Sequence, residues 1–338
     1  MKMNNWALNV LCCPSCGGGL YLRNARYVNE NVEDGALACH NCFKLYPIVD
    51  YVLRFARMEN YSKNFGFQWN KFAKTQLDSH SGHPISRERF FRTTGWKPED
   101  MQGKCVLDVG CGAGRFAEVA LSAGANVVAL DYSNAVDACW KNLRQHSNLV
   151  VVQGNIYRMP FKPECFDFVY CLGVLQHTPN VRKAFIALPD QVKKGGKLVV
   201  DVYPKLFLNI LWPKYWLRPF AKRIPQKSLF RIVKVMVRYL LPISLAIGRV
   251  PLIGRKLRYL IPVANYEGIY PLSKEQLKEW AIMDTFDMLS PKYDQPQSLE
   301  TLAGWFKSSN LQNIDIFRAG FFVGRAVKEC SSEYSSLD

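Results

Sequence analysis

The chain has 338 residues, 49% of them hydrophobic and 21% charged, and it carries a formal net charge of +16 at pH 7. This length and composition exclude a disordered protein and predict one full core with a small module beside it. No apolar run reaches the roughly 18–20 residues needed to span a bilayer, so no transmembrane segment is expected. We therefore expect a cytoplasmic location, with at most a peripheral contact with the inner face of the membrane.

Two C-x-x-C pairs lie near the start of the chain, and they are formed by Cys13, Cys16, Cys39 and Cys42. Each pair can present two thiolates from a tight turn, and two such turns complete a tetrahedral site for Zn²⁺. Four thiolates leave no open position for water, so the expected zinc is structural. Two disulfides are the alternative, which the expected reducing compartment disfavours. Residues 11–55 resemble the zinc-ribbon domains of small proteins that partner tRNA and rRNA methyltransferases, and we assign residues 1–58 to this domain.

A glycine-dense turn follows the first predicted strand of the main domain. The apolar-rich residues 106–109 lead directly into Gly110, Gly112 and Gly114, and residues 116–123 are predicted as a helix. Glycine tolerates positive φ and lets a ligand approach the main chain closely. This arrangement is typical of a turn that binds a nucleotide cofactor.

The strands predicted after this turn alternate with helices. Residues 126–130 form the second strand and deliver Asp131, whose carboxylate suits two ribose hydroxyls. Three further strands are predicted at Leu149–Gln153, Phe166–Cys171 and 197–202. Such alternation implies right-handed crossovers and a parallel sheet, with ligands at the carboxyl ends of the strands.

The pattern D-x-G-x-G-x-G that begins at Asp108 resembles motif I of the class I methyltransferases that depend on S-adenosylmethionine (SAM). The resemblance implies that the glycine loop packs beside the methionine part of SAM. Asn155 stands where the family usually carries Asp, and its amide can still accept a hydrogen bond from the adenine amino group. Gln68 belongs to the linker and cap helices of residues 59–100, which related enzymes fold across SAM. The residues expected to bind SAM are Gln68, Asp108, Gly110, Cys111, Gly112, Gly114, Asp131, Tyr132, Asn155, Ile156 and Leu172.

The end of the chain is predicted as a helix, 296–309, followed by two strands, 314–318 and 321–327, that form a closing hairpin. The methyltransferase resemblance implies the same ending. It predicts an α/β, Rossmann-like sheet of seven strands, mostly parallel with a terminal antiparallel hairpin, preceded by the small zinc ribbon. We assign residues 101–203 and 294–330 to this core. A Rossmann-like domain that binds a ligand other than SAM is the alternative.

Residues 204–293 form a long insertion after the fifth strand, and we expect them to cover the ligand site as a lid. Thirteen Lys or Arg residues and no Asp or Glu lie between Val202 and Tyr266. Residues 229–241 are predicted as a basic amphipathic helix. Three explanations stay open. The apolar faces pack on the core while the charges are solvated, the lid meets a membrane surface or an anionic or lipid-linked acceptor, or it binds RNA.

His177 follows the fourth strand and is the first candidate for a general base, with support of the cofactor pocket as the alternative. Tyr203 and Asp201, at the end of the fifth strand, are second-rank candidates, and Asp284 and Asp287 are expected at the same rim. The sequence therefore predicts a SAM-dependent methyltransferase that acts on a small-molecule, glycan or lipid-linked biosynthetic acceptor. An rRNA or tRNA methyltransferase is the alternative, and a non-catalytic protein that binds SAM is the second alternative.

Overall fold

One mixed sheet of eleven strands runs through the computed structural model, which describes residues 5–57, 60–206 and 212–330. The order across the sheet is β1-β2-β3-β4-β7-β6-β5-β8-β9-β11-β10. The strands are β1 (Leu20–Val28), β2 (Asn31–Cys39), β3 (Leu45–Val49), β4 (Val52–Arg54), β5 (Cys105–Val109), β6 (Asn126–Asp131), β7 (Leu149–Gln153), β8 (Phe166–Cys171), β9 (Val192–Val202), β10 (Leu311–Ala319) and β11 (Phe321–Lys328).

Thirteen α-helices accompany the sheet in the described ranges, and short 3-10 helices lie at Leu175–His177, Pro189–Gln191 and Arg258–Leu260. None of these helices combines the length and the apolar character needed to cross a bilayer. The α-helices are α1 (Asn5–Val10), α2 (Lys63–Lys71), α3 (Asp78–Ser81), α4 (Ile85–Thr94), α5 (Pro98–Met101), α6 (Arg115–Ser122), α7 (Ala135–Leu143), α8 (Val181–Ile186), α9 (Pro213–Ala221), α10 (Gln226–Gly248), α11 (Gly254–Leu257), α12 (Lys274–Leu289) and α13 (Leu299–Lys307).

The predicted seven-stranded core is confirmed, in the order β7-β6-β5-β8-β9-β11-β10. The pairs from β7 to β9 are parallel, whereas β11 runs antiparallel to both β9 and β10. Almost every residue of β5 to β8 is buried, as expected of parallel strands that helices cover on both faces. The carboxyl ends of these strands therefore meet at one edge of the sheet.

The N-terminal ribbon continues this sheet rather than standing beside it. Strand β4 pairs in parallel with β7, with Leu53 opposite Val152 and Arg54 opposite Gln153. The buried Arg54 guanidinium donates to Gln153 Oε1 at 3.0 Å and forms an ion pair with Asp137 at 2.5 Å. The four ribbon strands thus extend the core sheet from seven to eleven. The predicted boundary between residues 58 and 59 lies outside the described residues.

The insertion after β9 has a hydrophobic core of its own. The predicted amphipathic helix is confirmed as α10, which is longer than predicted and continues through Pro242. Its Leu229, Val233 and Val237 pack in one buried cluster with Phe286 of α12. Residues 207–211 of the predicted lid lie outside the described residues.

Helix α2 joins the insertion to the seven-stranded core. The Phe67 ring lies 5.7 Å from the Phe286 ring and 5.9 Å from the Phe230 ring, which belong to α12 and α10. Three residues further along the same helix, Asn70 Nδ2 donates to the carbonyl of Asn134, just before α7, at 2.8 Å. The insertion is therefore held against the sheet through a helix that also borders the candidate site.

Candidate functional site

A cavity of about 480 Å³ opens where β5, β6 and β8 end. This volume lies in the range of about 300–1,000 Å³ that is usual for small-molecule sites. Its wall at the sheet edge consists of Val109, Gly110, Cys111, Gly112, Leu130, Asp131, Tyr132, Ile156, Leu172 and Gly173. The position agrees with the expectation that a parallel sheet binds its ligand outside the carboxyl ends of its strands.

The glycine turn needs glycine at the two positions that line the cavity. Gly110 has a φ of +88° and Gly112 a φ of +54°, which side chains rarely adopt. A Cβ on Gly110 would lie 2.3 Å from Val174 Cγ2, and one on Gly112 would lie 3.3 Å from Trp69 Nε1. Packing by Val174 and Trp69 therefore excludes a side chain at both positions, and both glycines line the cavity.

Asp131 is held in place by hydrogen bonds from both sides. Its Oδ2 accepts from the Gly112 amide at 3.0 Å, and its Oδ1 accepts from the amide and the hydroxyl of Ser133 at 2.7 Å each. Burial raises the pKa of this carboxyl, which the hydrogen bonds partly offset. The Asp131 carboxylate lines the cavity, where its oxygens can also accept from a ligand hydroxyl. The residues at this end of the cavity fit the adenosyl part of SAM.

Four residues predicted to bind SAM do not line the cavity. Gly114 allows α6 and α7 to approach, since a Cβ there would lie 2.6 Å from Leu143 Cδ1. Asn155 uses its Oδ1 to accept from the Tyr157 amide at 3.0 Å, so this oxygen serves a local turn. The other two, Asp108 and Gln68, lie behind the wall.

Asp108 and Gln68 are both buried with polar atoms that have no partner. Asp108 is 2% exposed, and its Oδ2 accepts no hydrogen bond within the described residues. Burial raises the pKa of Asp108 to about 8. The Gln68 side chain is fully buried, and neither its Oε1 nor its Nε2 has a partner in the described part of the chain. Direct contact with the cofactor remains a prediction for both residues, and their positions favour an indirect role.

Of the candidate bases, His177 and Tyr203 lie together on the cavity wall, whereas Asp201 does not line it. Their rings are 5.4 Å apart and nearly perpendicular, and the His177 ring is 5.1 Å from the Phe65 ring. His177 Nδ1 lies 3.0 Å from the carbonyl oxygen of Tyr293, which can only accept. Neutral His177 therefore carries its proton on Nδ1 and its lone pair on Nε2. Burial raises the pKa of Tyr203 far above its usual value, so this hydroxyl is a donor rather than a base.

Two arginines that the sequence analysis did not single out form a cationic section of the wall. The guanidinium of Arg89 lies 4.5 Å from the Phe321 ring and 5.3 Å from the Phe116 ring. The Arg115 guanidinium lies 5.0 Å from the Phe116 ring and 5.7 Å from the Trp280 ring. These distances are within the roughly 6 Å of a cation–π contact. Arg115 follows the glycine turn directly, which is a usable signal, whereas Arg89 has no local pattern that marks it.

The charges of these arginines are only partly neutralised. Arg89 pairs with the fully buried Asp201 at 3.0 Å. Arg115 donates through Nε to Ser86 Oγ at 2.9 Å, and its Nη2 has no partner within the described residues. Burial, with the nearby charge of Arg89, lowers the pKa of Arg115 to about 10. Arg115 therefore stays charged at neutral pH beside the cavity.

The insertion supplies acidic and aromatic side chains to the same cavity, as predicted for Asp284 and Asp287. The Tyr266 hydroxyl donates to Asp284 Oδ2. Burial raises the pKa of Asp284 to about 7. The wall formed by the insertion consists of Tyr266, Tyr270, Trp280, Asp284, Asp287 and Met288. This end of the cavity combines charged groups with aromatic surface and is the candidate acceptor region.

The four cysteines of the ribbon come together away from the cavity. All four Sγ atoms lie within 4.8 Å of one another, with 3.6 Å between those of Cys13 and Cys42 and 3.5 Å between those of Cys16 and Cys39. When four sulfurs bind a tetrahedral zinc at about 2.3 Å, the distances between the sulfurs are close to the Sγ–Sγ distances seen here. The cluster therefore fits a Zn²⁺ ion. None of the four cysteines lines the cavity, which agrees with a structural role for the metal.

Two family models match the chain. Residues 107–200 match the one described as a methyltransferase domain, and residues 7–50 match the one described as a Trm112p-like protein. The mitochondrial ubiquinone biosynthesis O-methyltransferase of Schizosaccharomyces pombe is 29% identical over 163 residues, which are 45% of this chain and 59% of the relative. The sterol 24-C-methyltransferase of the same organism is 31% identical over 150 residues, which are 42% of this chain and 37% of the relative.

Among solved structures, the magnesium protoporphyrin IX methyltransferase of Synechocystis PCC 6803 is 14% identical. Its TM-score is 0.41, and the match covers 80% of this chain and 97% of that one. Of the two relatives from Schizosaccharomyces pombe, the chain spans only part of the length, 59% of the first and 37% of the second. By these matches, the main domain is similar to a methyltransferase domain over residues 107–200, and the four-cysteine ribbon that precedes it is similar to a Trm112p-like protein.

Proposed function

We propose that this chain, a class I methyltransferase domain joined to a Trm112-like ribbon, transfers a methyl group from SAM to a small-molecule acceptor. The favoured acceptor is a biosynthetic intermediate, free, glycan or lipid-linked, with an anionic group and an apolar body. A cytoplasmic location, with peripheral contact at the inner face of a membrane, belongs to the same proposal.

The observation that carries the proposal is the shared cavity of the glycine turn and Asp131. Gly110 and Gly112 line the cavity, and the Asp131 carboxylate lines it beside them with Oδ2 bonded to the Gly112 amide. When bound, SAM supplies an electrophilic methyl group on a sulfonium, which needs no covalent help from the protein. Placing the acceptor near this methyl and removing its proton then provide most of the catalytic effect.

His177 is the residue that we propose as the base. Its Nδ1 is occupied by the Tyr293 carbonyl, so the lone pair on Nε2 is the basic position. Tyr203, whose pKa burial keeps high, would position the acceptor by donating a hydrogen bond. On a hydroxyl or amine acceptor, His177 would thus remove the proton and Tyr203 would donate a hydrogen bond.

The acceptor class follows from the remaining wall. Arg89 and Arg115 favour an anionic group, and the rings of Trp280, Tyr266 and Tyr270 favour an apolar body. The relatives named for ubiquinone biosynthesis and for sterol methylation also support an apolar acceptor.

Methylation of rRNA or tRNA is the second candidate. The Trm112p-like match of residues 7–50 and the thirteen basic residues between Val202 and Tyr266 favour it.

Calorimetric titration of the purified protein with SAM, and with its demethylated product, tests the cofactor site. We expect one site per chain. Asp131→Ala should weaken binding by about tenfold to a hundredfold, because a hydrogen bond to a charged group is lost. Asp190→Ala, which changes an exposed aspartate outside the cavity, is the matched control and should leave binding unchanged. A folded protein that binds neither compound would contradict the proposal.

Transfer of label from SAM with a tritiated methyl group identifies the acceptor class. The protein is incubated in parallel with a lipid extract, a water-soluble extract and total RNA. Label in the lipid or small-molecule fraction, reduced by His177→Ala, is the expected result. Label confined to RNA would establish the second candidate, and tight SAM binding without transfer to any fraction would favour the non-catalytic alternative.

A further inference from the structure

Exposed apolar side chains are concentrated on the insertion. Fifteen of the 23 large hydrophobic side chains that are exposed in the described residues lie between Trp212 and Ile269. That segment is about a sixth of the chain, so the concentration is not the scatter of single apolar residues that every protein surface shows. A surface of this kind usually meets another apolar phase.

Helix α10 carries three separate stripes along its length. The first is buried in the core of the insertion and contains Leu229, Val233 and Val237. The second is exposed and apolar, and its members follow one another at helical spacings of three and four residues. They are Ile232, Val235, Tyr239 and Ile243, which are 43–63% exposed. Helix α10 therefore has an apolar face left over after its own packing is complete.

A third stripe of α10 is basic, and it lies next to the exposed apolar one. Lys227, Arg231, Lys234 and Arg238 are all exposed and form no ion pair with any described residue. The cations of the insertion that do have acidic partners are elsewhere: Lys214 and Arg218 pair with Asp294, and Arg249 pairs with Glu267. The charge of the exposed stripe is thus available to an external anion.

The apolar surface continues from α10 to neighbouring segments. Helix α10 contacts α11 and the 3-10 helix Arg258–Leu260, where Leu257, Tyr259 and Leu260 are exposed. The Tyr259 ring in turn stacks on the Trp212 ring at 6.0 Å, with only 8° between the planes. Trp212 stands at the start of α9, whose Trp216 and Phe220 are more than 60% exposed. These contacts join the three segments into one surface, which we call the insertion surface.

We propose that the insertion surface docks on an anionic lipid bilayer, with the exposed aliphatic and aromatic side chains in the headgroup region and the basic stripe on the lipid phosphates. A polarised helix with aromatic residues at its apolar edge and Lys and Arg beside it is the arrangement that lies in such an interface. RNA would neutralise the cations but would leave Ile232, Val235 and Ile243 in water, so a bilayer accounts for both stripes.

Docking here would place the acceptor region close to the lipid. The insertion that carries the surface also contributes Tyr266, Trp280 and Asp284 to the cavity wall. A lipid-linked acceptor could therefore reach the cavity without leaving the bilayer entirely. This last step rests on the proposed function, whereas the docking itself does not depend on methyl transfer.

Flotation of the full chain with vesicles tests the proposal. One set of vesicles contains phosphatidylcholine alone, and the other contains phosphatidylcholine with phosphatidylglycerol. We expect binding to the anionic set that weakens with added salt. Arg231→Glu, Lys234→Glu and Arg238→Glu together should weaken it about a hundredfold or more, since each basic residue near an anionic surface contributes about tenfold or less.

A matched control separates a local site from a general effect of charge. Lys104→Glu, Lys183→Glu and Lys307→Glu change three exposed lysines outside the insertion and alter the net charge by the same amount. This variant should bind as the parent does. A second variant, Val235→Ser with Tyr239→Ser and Ile243→Ser, removes exposed apolar groups only. It should keep the melting temperature of the parent but lose binding to the anionic vesicles.

Four results would overturn the proposal. The first two are equal binding to both vesicle sets and a loss of binding in the control variant equal to that in the Arg231, Lys234 and Arg238 variant. The other two are binding to RNA but not to vesicles, and a dimer in sedimentation that dissociates in the apolar variant. Titration with SAM in the absence of vesicles reports on the cofactor site alone. A failure of docking is therefore distinguishable from a failure of the proposed activity.

Discussion

Asp108 and Asp131 stand at the ends of adjacent parallel strands and have opposite surroundings. Asp131 reaches the cavity and receives three hydrogen bonds from the chain. Asp108 lies behind the wall with one oxygen unpaired, and burial raises its pKa to about 8. An acidic residue in a motif thus serves either as a ligand group or as a buried, largely protonated support, and the local sequence is similar in both cases.

Replacement of Asp108 by Asn should change how stability depends on pH. The pKa of Asp108 rises from 3.8 to about 8 on folding, so the folded chain keeps a proton that the unfolded chain releases. Stability of the parent therefore falls as pH rises through the window from about 4 to about 8. The Asn side chain of Asp108→Asn does not titrate. The free energy of unfolding of this variant should therefore rise relative to that of the parent, by roughly a few kcal/mol across this window.

Thermal unfolding of both proteins without ligand, at pH of about 5 and about 9, measures this difference. Asp190→Asn, at an exposed position, should follow the parent at both pH values. A difference between Asp108→Asn and the parent that is the same at both pH values would show that Asp108 is ionised in the fold.

At the scale of elements, α10 shows how one helix can be both core and surface. Its buried stripe makes it part of the insertion core with α12, while its exposed stripe has no described neighbour to cover it. Helix α12 is in turn tied to α9, whose Arg218 donates to the carbonyl groups of Met288 and Pro291 at 3.2 and 2.6 Å. The position of α10 is therefore set by packing, and its outer face is free to differ in chemistry.

A pair of valines on α10 separates these two roles. Val233 is fully buried and Val235 is 56% exposed. Val233→Ala should lower the free energy of unfolding by about 1–3 kcal/mol, because it leaves a small cavity in the insertion core. Val235→Ala should change it by less than about 0.5 kcal/mol, and since the gain in helix propensity is the same for both, the difference reports burial alone. Chemical denaturation measures both, and equal effects would mean that α10 is not packed as described.

At the scale of the whole molecule, the ribbon and the methyltransferase core share one sheet. Strand β4 bonds to β7, Arg54 ties that junction to Asp137, and the Cys12 amide donates to the carbonyl of Pro160 at 3.0 Å. Because these contacts join the ribbon to the core, the state of the four-cysteine cluster should affect the stability of the core.

Loss of metal should therefore destabilise the entire chain. Cys39→Ser should abolish zinc binding, measured by mass spectrometry of the metal content, and should lower the free energy of unfolding by roughly several kcal/mol. Cys330→Ser, at an exposed cysteine outside the cluster, is the control. A ribbon that unfolds alone, with no change in the main thermal transition, would contradict the coupling.

The sequence by itself was sufficient for features that depend on neighbouring residues. The D-x-G-x-G-x-G turn, the two cysteine pairs, the strand that delivers Asp131 and the amphipathic pattern of α10 are each written within some twenty to thirty residues of chain. Their physical basis is local: glycine conformation, thiolate spacing and helical or strand periodicity. The number and direction of the core strands followed from the same patterns together with the family resemblance.

Only the tertiary structure decided which distant residues meet. It brought Arg89, Tyr270 and Trp280 to one cavity and joined β4 to β7 across 99 positions, as the Arg54 to Gln153 hydrogen bond shows. It also turned Gly114 and Asn155 away from the cavity wall, through packing with Leu143 and a bond to Tyr157. Such contacts depend on how whole elements pack, and the free energy of packing is shared among many residues that no short segment contains.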